Sequence, residues 1–87
     1  MAKRNKLEII KDVLKIVQTS HKIKVTPLLR RSNISSLRFK EYYSELINKE
    51  FLKENLGQER YVILTEKGRR FIEKYQTIIN FIEEFEL

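Results

Sequence analysis

Thr26-Pro27 and Asn33 bracket a helix of no more than about two turns, and that punctuation constrains the chain more than any other feature. Threonine serves as a helix cap, and a proline at the first helical position loses nothing by lacking an N–H. Leu28 and Leu29 begin the short helix. It cannot pass Asn33, a residue suited to the left-handed turn conformation. Ser35 or Ser36 then caps a further helix running to about Asn48, and Ile34 between the two should plug the core. Phe39, Tyr43, Leu46 and Ile47 give this third helix an inward face, and Ser36, Leu37, Arg38, Lys40, Glu41 and Ser44 the opposite one.

The elements on either side follow from the same kind of signal. Asn5, with Glu8 three residues on, caps a first helix over about Lys6 to Thr19. Its core stripe is Leu7, Ile10, Val13, Leu14 and Val17, widened by Ile9 and Ile16. Ser20, His21 and Lys22 end it. Ile23-Lys24-Val25 alternates and reads as a brief strand. Phe51–Glu54 and Arg60–Leu64 read as two strands joined by the Asn55–Glu59 turn, which contains Gly57. Thr65 caps a last helix with Glu66 in its first turn. Gly68 inside that turn costs roughly 1 kcal/mol against alanine, tolerable if another backbone approaches there, for instance the hairpin.

Charge is distributed unevenly along this order. No acidic side chain lies between Asp12 and Glu41, and the 28 intervening residues carry seven basic ones: Lys15, Lys22, Lys24, Arg30, Arg31, Arg38 and Lys40. The net charge of +6 is concentrated in residues 1–60, with 14 basic and 7 acidic residues, against 4 and 5 in residues 61–87. A positive surface around helix–turn–helix punctuation suits binding to a duplex, where affinity comes largely from neutralising phosphates. Eighty-seven residues make one small domain that buries only about 60–65% of its unfolded surface, so sharing a core between two copies would help.

Helix, short strand, helix, turn, helix, hairpin is the order of a winged helix-turn-helix, mainly α with a small β-hairpin. The second helix braces the third, the third enters the major groove, and the hairpin reaches toward backbone or minor groove. The segment from Asn33 to Tyr75 resembles small archaeal winged-helix proteins of the transcriptional-regulator and chromatin-associated type. The resemblance is carried by Asn33-Ile34-Ser35, by Tyr42-Tyr43-Ser44-Glu45-Leu46-Ile47-Asn48-Lys49, and most specifically by Leu64-Thr65-Glu66-Lys67-Gly68. One departure is Glu50, where the family usually has glycine. The resemblance implies DNA binding, no enzymatic activity and a C-terminal helix that pairs two subunits. The chain then divides into a DNA-binding domain over 1–65 and a dimerisation helix over 66–87.

Arg38 is the candidate base reader, because a guanidinium can bond bidentately to guanine. Ser35, Ser36, Lys40 and Ser44 accompany it. Leu37 can meet a thymine methyl or pack locally, and Tyr42 can touch phosphate or pack. Glu41 should face a cytosine amine or pair with Lys40 or Arg38. Lys24, Thr26, Arg30 and Arg31 should contact phosphates without reading sequence. In the wing the candidates are Lys53, Gln58 and Arg60, and Lys3, Arg4 and Lys6 form a flexible electrostatic arm.

Leu64, Gly68, Phe71, Tyr75, Ile78, Ile82 and Phe85 keep the 4-3 spacing of a coiled coil, broadened by Ile72 and Ile79. The first two turns of this helix should pack on the first helix. The remainder, with Phe71, Tyr75, Ile78, Ile79, Ile82 and Phe85, should pair with a second copy. Basic Lys67, Arg69, Arg70 and Lys74 precede acidic Glu83, Glu84 and Glu86, which favours antiparallel pairing. The expected partners are therefore double-stranded DNA and a second copy of the chain.

No cysteine is present, which excludes disulfides and thiolate chemistry. His21 stands alone as a surface histidine at a helix end, and no phosphate-cradling glycine loop exists, so no catalytic residue, metal or cofactor is expected. Neither a membrane nor a small-molecule ligand is implied, and the expected location is the cytoplasm, with the nucleoid. Three roles fit: a dimeric transcription regulator, an architectural DNA binder, and a winged-helix protein-interaction module.

Overall fold

The computed structural model describes residues 4–55, 57 and 59–87. Seven elements follow in order: α1 (Lys6–Ser20), β1 (Lys22–Ile23), α2 (Val25–Ser32), α3 (Ser36–Asn48), β2 (Leu52–Asn55), β3 (Tyr61–Leu64) and α4 (Glu66–Glu84). The three strands form one antiparallel sheet in the order β1-β3-β2. Lys22 and Lys53 both pair with Ile63, on either side of it, while Ile23 and Glu54 flank Val62. Alternation along each strand therefore puts Ile23, Leu52, Val62 and Leu64 on the inner face.

The core gathers Ile9, Ile10, Val13, Leu14 and Val17 of α1, Leu28 of α2, Phe39 and Leu46 of α3, the inner sheet residues and Ile72 of α4. Helix α1 is the scaffold, packing against α2, α4 and β3. Asn5 caps it as expected, its side chain accepting the Glu8 N–H at 2.8 Å. The stripe sits differently from the sequence reading. Leu7 is 49% exposed, and Ile9 is in the core. Leu7 lies on the same side of α1 as Leu14, two turns on, but stands in the first turn, at the end of the helix that the core does not reach. At the other end His21, at φ 63°, turns the chain sharply into β1.

Helix α2 starts earlier than its punctuation suggests. Lys24 occupies the cap position without a side-chain cap bond, and Thr26 and Pro27 are the second and third helical residues. Pro27 still costs nothing, because the first intrahelical donor is Leu28, bonded to the Lys24 carbonyl at 3.1 Å. The early start takes Val25 from the expected strand and confines β1 to Lys22–Ile23. The stop is as expected, with Asn33 left-handed at φ 56°. Ser35 caps α3, and Ile34 packs against the core.

The first strand of the hairpin is displaced by one residue, to Leu52–Asn55, and the second starts one residue late, at Tyr61, so Phe51 and Arg60 lie outside the strands. Leu64 belongs to β3 and not to the coiled-coil stripe. Thr65 caps α4, accepting the Gly68 N–H at 3.0 Å. Gly68 is buried, and a Cβ there would stand 2.4 Å from the Phe51 carbonyl oxygen, so the close backbone approach at this glycine is real.

Candidate nucleic-acid interface

Helix α3 turns one face to the core and one to solvent. Phe39 and Leu46 are buried and Tyr43 and Ile47 half-buried, whereas Ser36, Leu37, Arg38, Lys40, Glu41 and Ser44 are exposed. Leu37 is 71% exposed, so it does not pack locally. The Ser35 hydroxyl accepts the Arg38 N–H at 3.3 Å, and its own proton remains available for a ligand. Tyr42 packs against the core and carries the Arg38 guanidinium 5.9 Å from its ring centroid. Arg38 shares a shallow cleft with Lys6, Glu41, Tyr42 and Glu45.

Of the acids around this surface, Glu41 is exposed and pairs with neither Lys40 nor Arg38, whereas Glu45 and Asp12 are tied up internally. Glu45 meets Lys6 at 2.9 Å and Lys49 at 3.2 Å, and these bonds hold its carboxyl below the usual carboxylate range. Partial burial pushes the Asp12 carboxyl up, but Lys11 at 2.7 Å and Arg4 at 2.9 Å outweigh it and leave the group below its ordinary value. Arg4 also donates to the carbonyls of Ser32 and Asn33, each at 3.1 Å. Arg4 and Lys6 are therefore not a flexible arm. Arg4 closes the end of α2 from 28 residues upstream, where a cation also suits the helix dipole. Lys3 lies outside the described residues.

The α2 candidates divide. Thr26, Arg30 and Arg31 are exposed. Arg31 donates to the Ser20 hydroxyl at 2.9 Å, which steadies it against the end of α1. Lys24 turns toward the hairpin, with its ammonium 3.7 Å from Glu59 and 6.0 Å from the Tyr61 ring centroid.

The wing is more committed to internal bonds than its sequence suggests. The Tyr43 hydroxyl donates to the Glu54 carboxylate, and burial with that contact pushes the phenol well above its ordinary range. Glu54 thus meets α3 on the inner sheet face instead of confronting phosphates. Lys53 lies on the outer face, in a row with Ile63 and Lys22, away from that contact with α3. Glu59 takes a bond from the Tyr61 hydroxyl, which with Lys24 holds its carboxyl low. Arg60 is exposed beside β3, and Gln58 lies outside the described residues.

A helix–turn–helix with its second helix exposed along one face, followed by a two-stranded wing, is the geometry at hand. A family model described as winged helix-turn-helix matches residues 3–83. The chain belongs to the winged helix-turn-helix family of DNA-binding proteins. No curated protein matches the chain. Among solved structures, this winged-helix protein is similar to Sso10a-2, a DNA-binding protein from Sulfolobus solfataricus, with a TM-score of 0.76 and 21% identity over 95% of this chain and 86% of that one. It is also similar to F-93 of SSV1, with a TM-score of 0.68 and 26% identity over 88% of this chain and 91% of that one. A MarR family transcriptional regulator from Silicibacter pomeroyi shares the fold at a TM-score of 0.73 and 18% identity, over 90% of this chain and 55% of that one. The family is typically non-enzymatic. No helix is long and apolar enough to cross a membrane, and no group of three or more metal-ligating side chains exists among the described residues.

Helix α4 runs 19 residues, about 28 Å at 1.5 Å per residue. It makes the winged-helix protein elongated, 49 × 28 × 21 Å. The radius of gyration is 13.6 Å, above the roughly 12 Å of a compact chain this long. Its first half packs on α1, with Ile72 buried, Phe71 half-buried edge-on to Phe51, and Lys11 5.6 Å from the Tyr75 ring centroid. Ile79 is half-buried. Farther on, Ile78 (53%) and Phe85 (57%) are exposed, as is Ile82. Phe81 joins them, its ring 4.9 Å from that of Phe85. Phe81 was missed because it falls outside the 4-3 spacing, although it stands three residues from Ile78 and four from Phe85.

Proposed function

We propose that the protein is a dimeric double-stranded DNA-binding transcription regulator. It lays α3 in the major groove and the 51–64 hairpin near the backbone or minor groove. The observation that carries this reading is the contrast in how charges are used. Glu45, Asp12 and Glu54 are consumed in internal bonds, while Arg30, Arg38 and Lys40 stand exposed on α2 and α3 with Glu41 as the one exposed acid of the α3 face. Arg38, with Ser36, Leu37, Lys40 and Ser44, reads bases. Lys24, Thr26, Arg30, Arg31, Ser35 and Tyr42 fix the register on phosphates. Lys53, Gln58 and Arg60 support from the wing. The regulator found among the structural neighbours supports the same class of role. The working location is the cytoplasm, on the nucleoid.

Two copies pair through the exposed half of α4, a part separable in role from the DNA-binding body over residues 1–65. An antiparallel arrangement with its axis near Ile78 brings Arg70 toward the partner's Glu86, and Lys74 toward the partner's Glu83. It also covers Ile78, Phe81, Ile82 and Phe85, a contiguous apolar surface that solvent disfavours. Cysteines introduced as Arg70→Cys and Glu84→Cys should crosslink 70 to 84, and preferential 70–70 crosslinks would indicate a parallel pair.

Fluorescence anisotropy across salt, on a random duplex and on a selected-site pool, tests the DNA reading. A regulator binds the selected pool more tightly at every salt concentration. An equally steep salt slope on both without preference points to an architectural role. Absence of binding to any duplex leaves a protein-interaction module. Arg38→Ala should weaken the preferred site by about 1–3 kcal/mol and blur its sequence, while Arg31→Ala weakens all DNA alike.

A further inference from the structure

The Leu64-Thr65-Glu66-Lys67-Gly68 run does more than start a helix. The end of α3 leaves the carbonyls of Lys49, Glu50 and Phe51 at a sharp corner, and the start of α4 bonds all three. The Thr65 hydroxyl shares its proton between the Glu50 oxygen at 2.6 Å and the Phe51 oxygen at 3.0 Å. The Thr65 N–H reaches the Phe51 oxygen at 3.2 Å. The Lys67 ammonium donates to the Lys49 oxygen at 2.8 Å and stands 5.0 Å from the Phe51 ring centroid. Gly68 permits this approach, since a Cβ there would stand 2.6 Å from Leu64 Cδ1 as well as 2.4 Å from the Phe51 oxygen. These contacts join the corner that follows α3 to the start of α4, at the base of the wing. Beyond the joint α4 continues unbroken to Glu84.

We propose that Thr65 and Lys67 are specificity-determining residues, setting the spacing between DNA half-sites by fixing the angle of α3 to α4. The inference rests on the reading of the protein as a DNA-binding dimer. In such a dimer the separation of two recognition helices is set by the symmetry axis and by every joint between it and the DNA. A side-chain clamp on three successive carbonyls removes the freedom that a single chain connection would leave. Neither residue has to touch DNA for this.

The test is selection of sites from a random duplex library by the full-length protein and by Thr65→Val, Lys67→Met and the double variant. The wild type enriches one half-site spacing, and the double variant enriches the same half-site sequence over several spacings. Inserting one base pair between half-sites should cut wild-type affinity about tenfold and that of the double variant about twofold, given that spacing follows from dimer geometry. Thr65→Ser, which keeps the hydroxyl, restores the single spacing. Lys67→Met leaves the cap of α4 intact, so it reports on the joint even where Thr65→Val weakens folding. Light scattering confirms that the variants remain dimers. A wild type with fixed spacing that the folded variants retain overturns this inference alone. A wild type that enriches no paired half-sites overturns the functional reading and this inference with it.

Discussion

Helix α3 is held between two corners that both turn on a positive φ, with different chemistry. At its start Asn33 is left-handed at φ 56°, and at its end Glu50 is left-handed at φ 64°. Asparagine visits that region readily, whereas an unbranched charged residue does so at a cost of roughly 1–2 kcal/mol. Both corners are then clasped from a distance. Arg4 holds the carbonyls of Ser32 and Asn33, and Thr65 and Lys67 hold those of Lys49, Glu50 and Phe51. The first corner pairs a suitable turn residue with a clamp. The second pairs an unsuitable residue with a more extensive clamp and a buried glycine. Local conformational preference at one end of the helix has been replaced, at the other, by tertiary bonding.

The comparison can be broken most severely at Gly68. Alanine there has to displace a backbone oxygen, and its gain in helix propensity does not compensate. Gly68→Ala should lose about 2–3 kcal/mol of stability in urea denaturation. A loss under about 0.5 kcal/mol would mean that the second corner is soft.

Arg4→Ala attacks the first corner and should cost about 1–1.5 kcal/mol, discounted for the partial exposure of the Arg4–Asp12 pair. Its pH dependence has a definite sign. The Asp12 carboxyl sits below its unfolded value, so its contribution is present above about pH 4 and is lost as pH falls through the folded value. Thermal melts should therefore show the gap between the wild type and Arg4→Ala narrowing as pH falls below about 4. A constant gap would assign the effect to the carbonyl bonds alone.

The smallest effects sharpen the contrast between the two turn residues. Glu50→Gly removes left-handed strain while loosening the unfolded chain, for a net gain of about 0.5–1 kcal/mol. Asn33→Gly should change stability by no more than about 0.5 kcal/mol, because asparagine already suits the site. Equal responses at the two positions would contradict the difference drawn between them.

The same contrast explains what could be read from the chain. As turn and caps, Asn33, Ser35 and Thr65 act within a few residues of where they stand, so those roles were legible from spacing, with Ser36 as the alternative to Ser35. The α3 face from Ser36 to Ser44 was legible for a similar reason, since a 3.6-residue period assigns sides before any partner is known. The clamps were not legible. Arg4 reaches carbonyls 28 and 29 residues away, and it looked like part of a charged arm. Nothing local to Glu54 announces that it takes the Tyr43 hydroxyl, 11 residues away. The start of α2 was misplaced because proline announces only that no donor is needed at its position. It does not fix how many helical residues precede it.

The sequence by itself determined the order of elements, the two sides of α3, the acid-free stretch and the apolar spacing of α4. All of these are periodic or nearest-neighbour properties. Only the tertiary structure decided which charges remain free and which carbonyls are clasped. It also decided that Leu7 lies outside the core while Ile9 lies within it, and that Gly68 is a contact and not a defect. Those outcomes depend on groups far apart in the chain being brought within about 3 Å, the length of a hydrogen bond, and no local pattern encodes that distance.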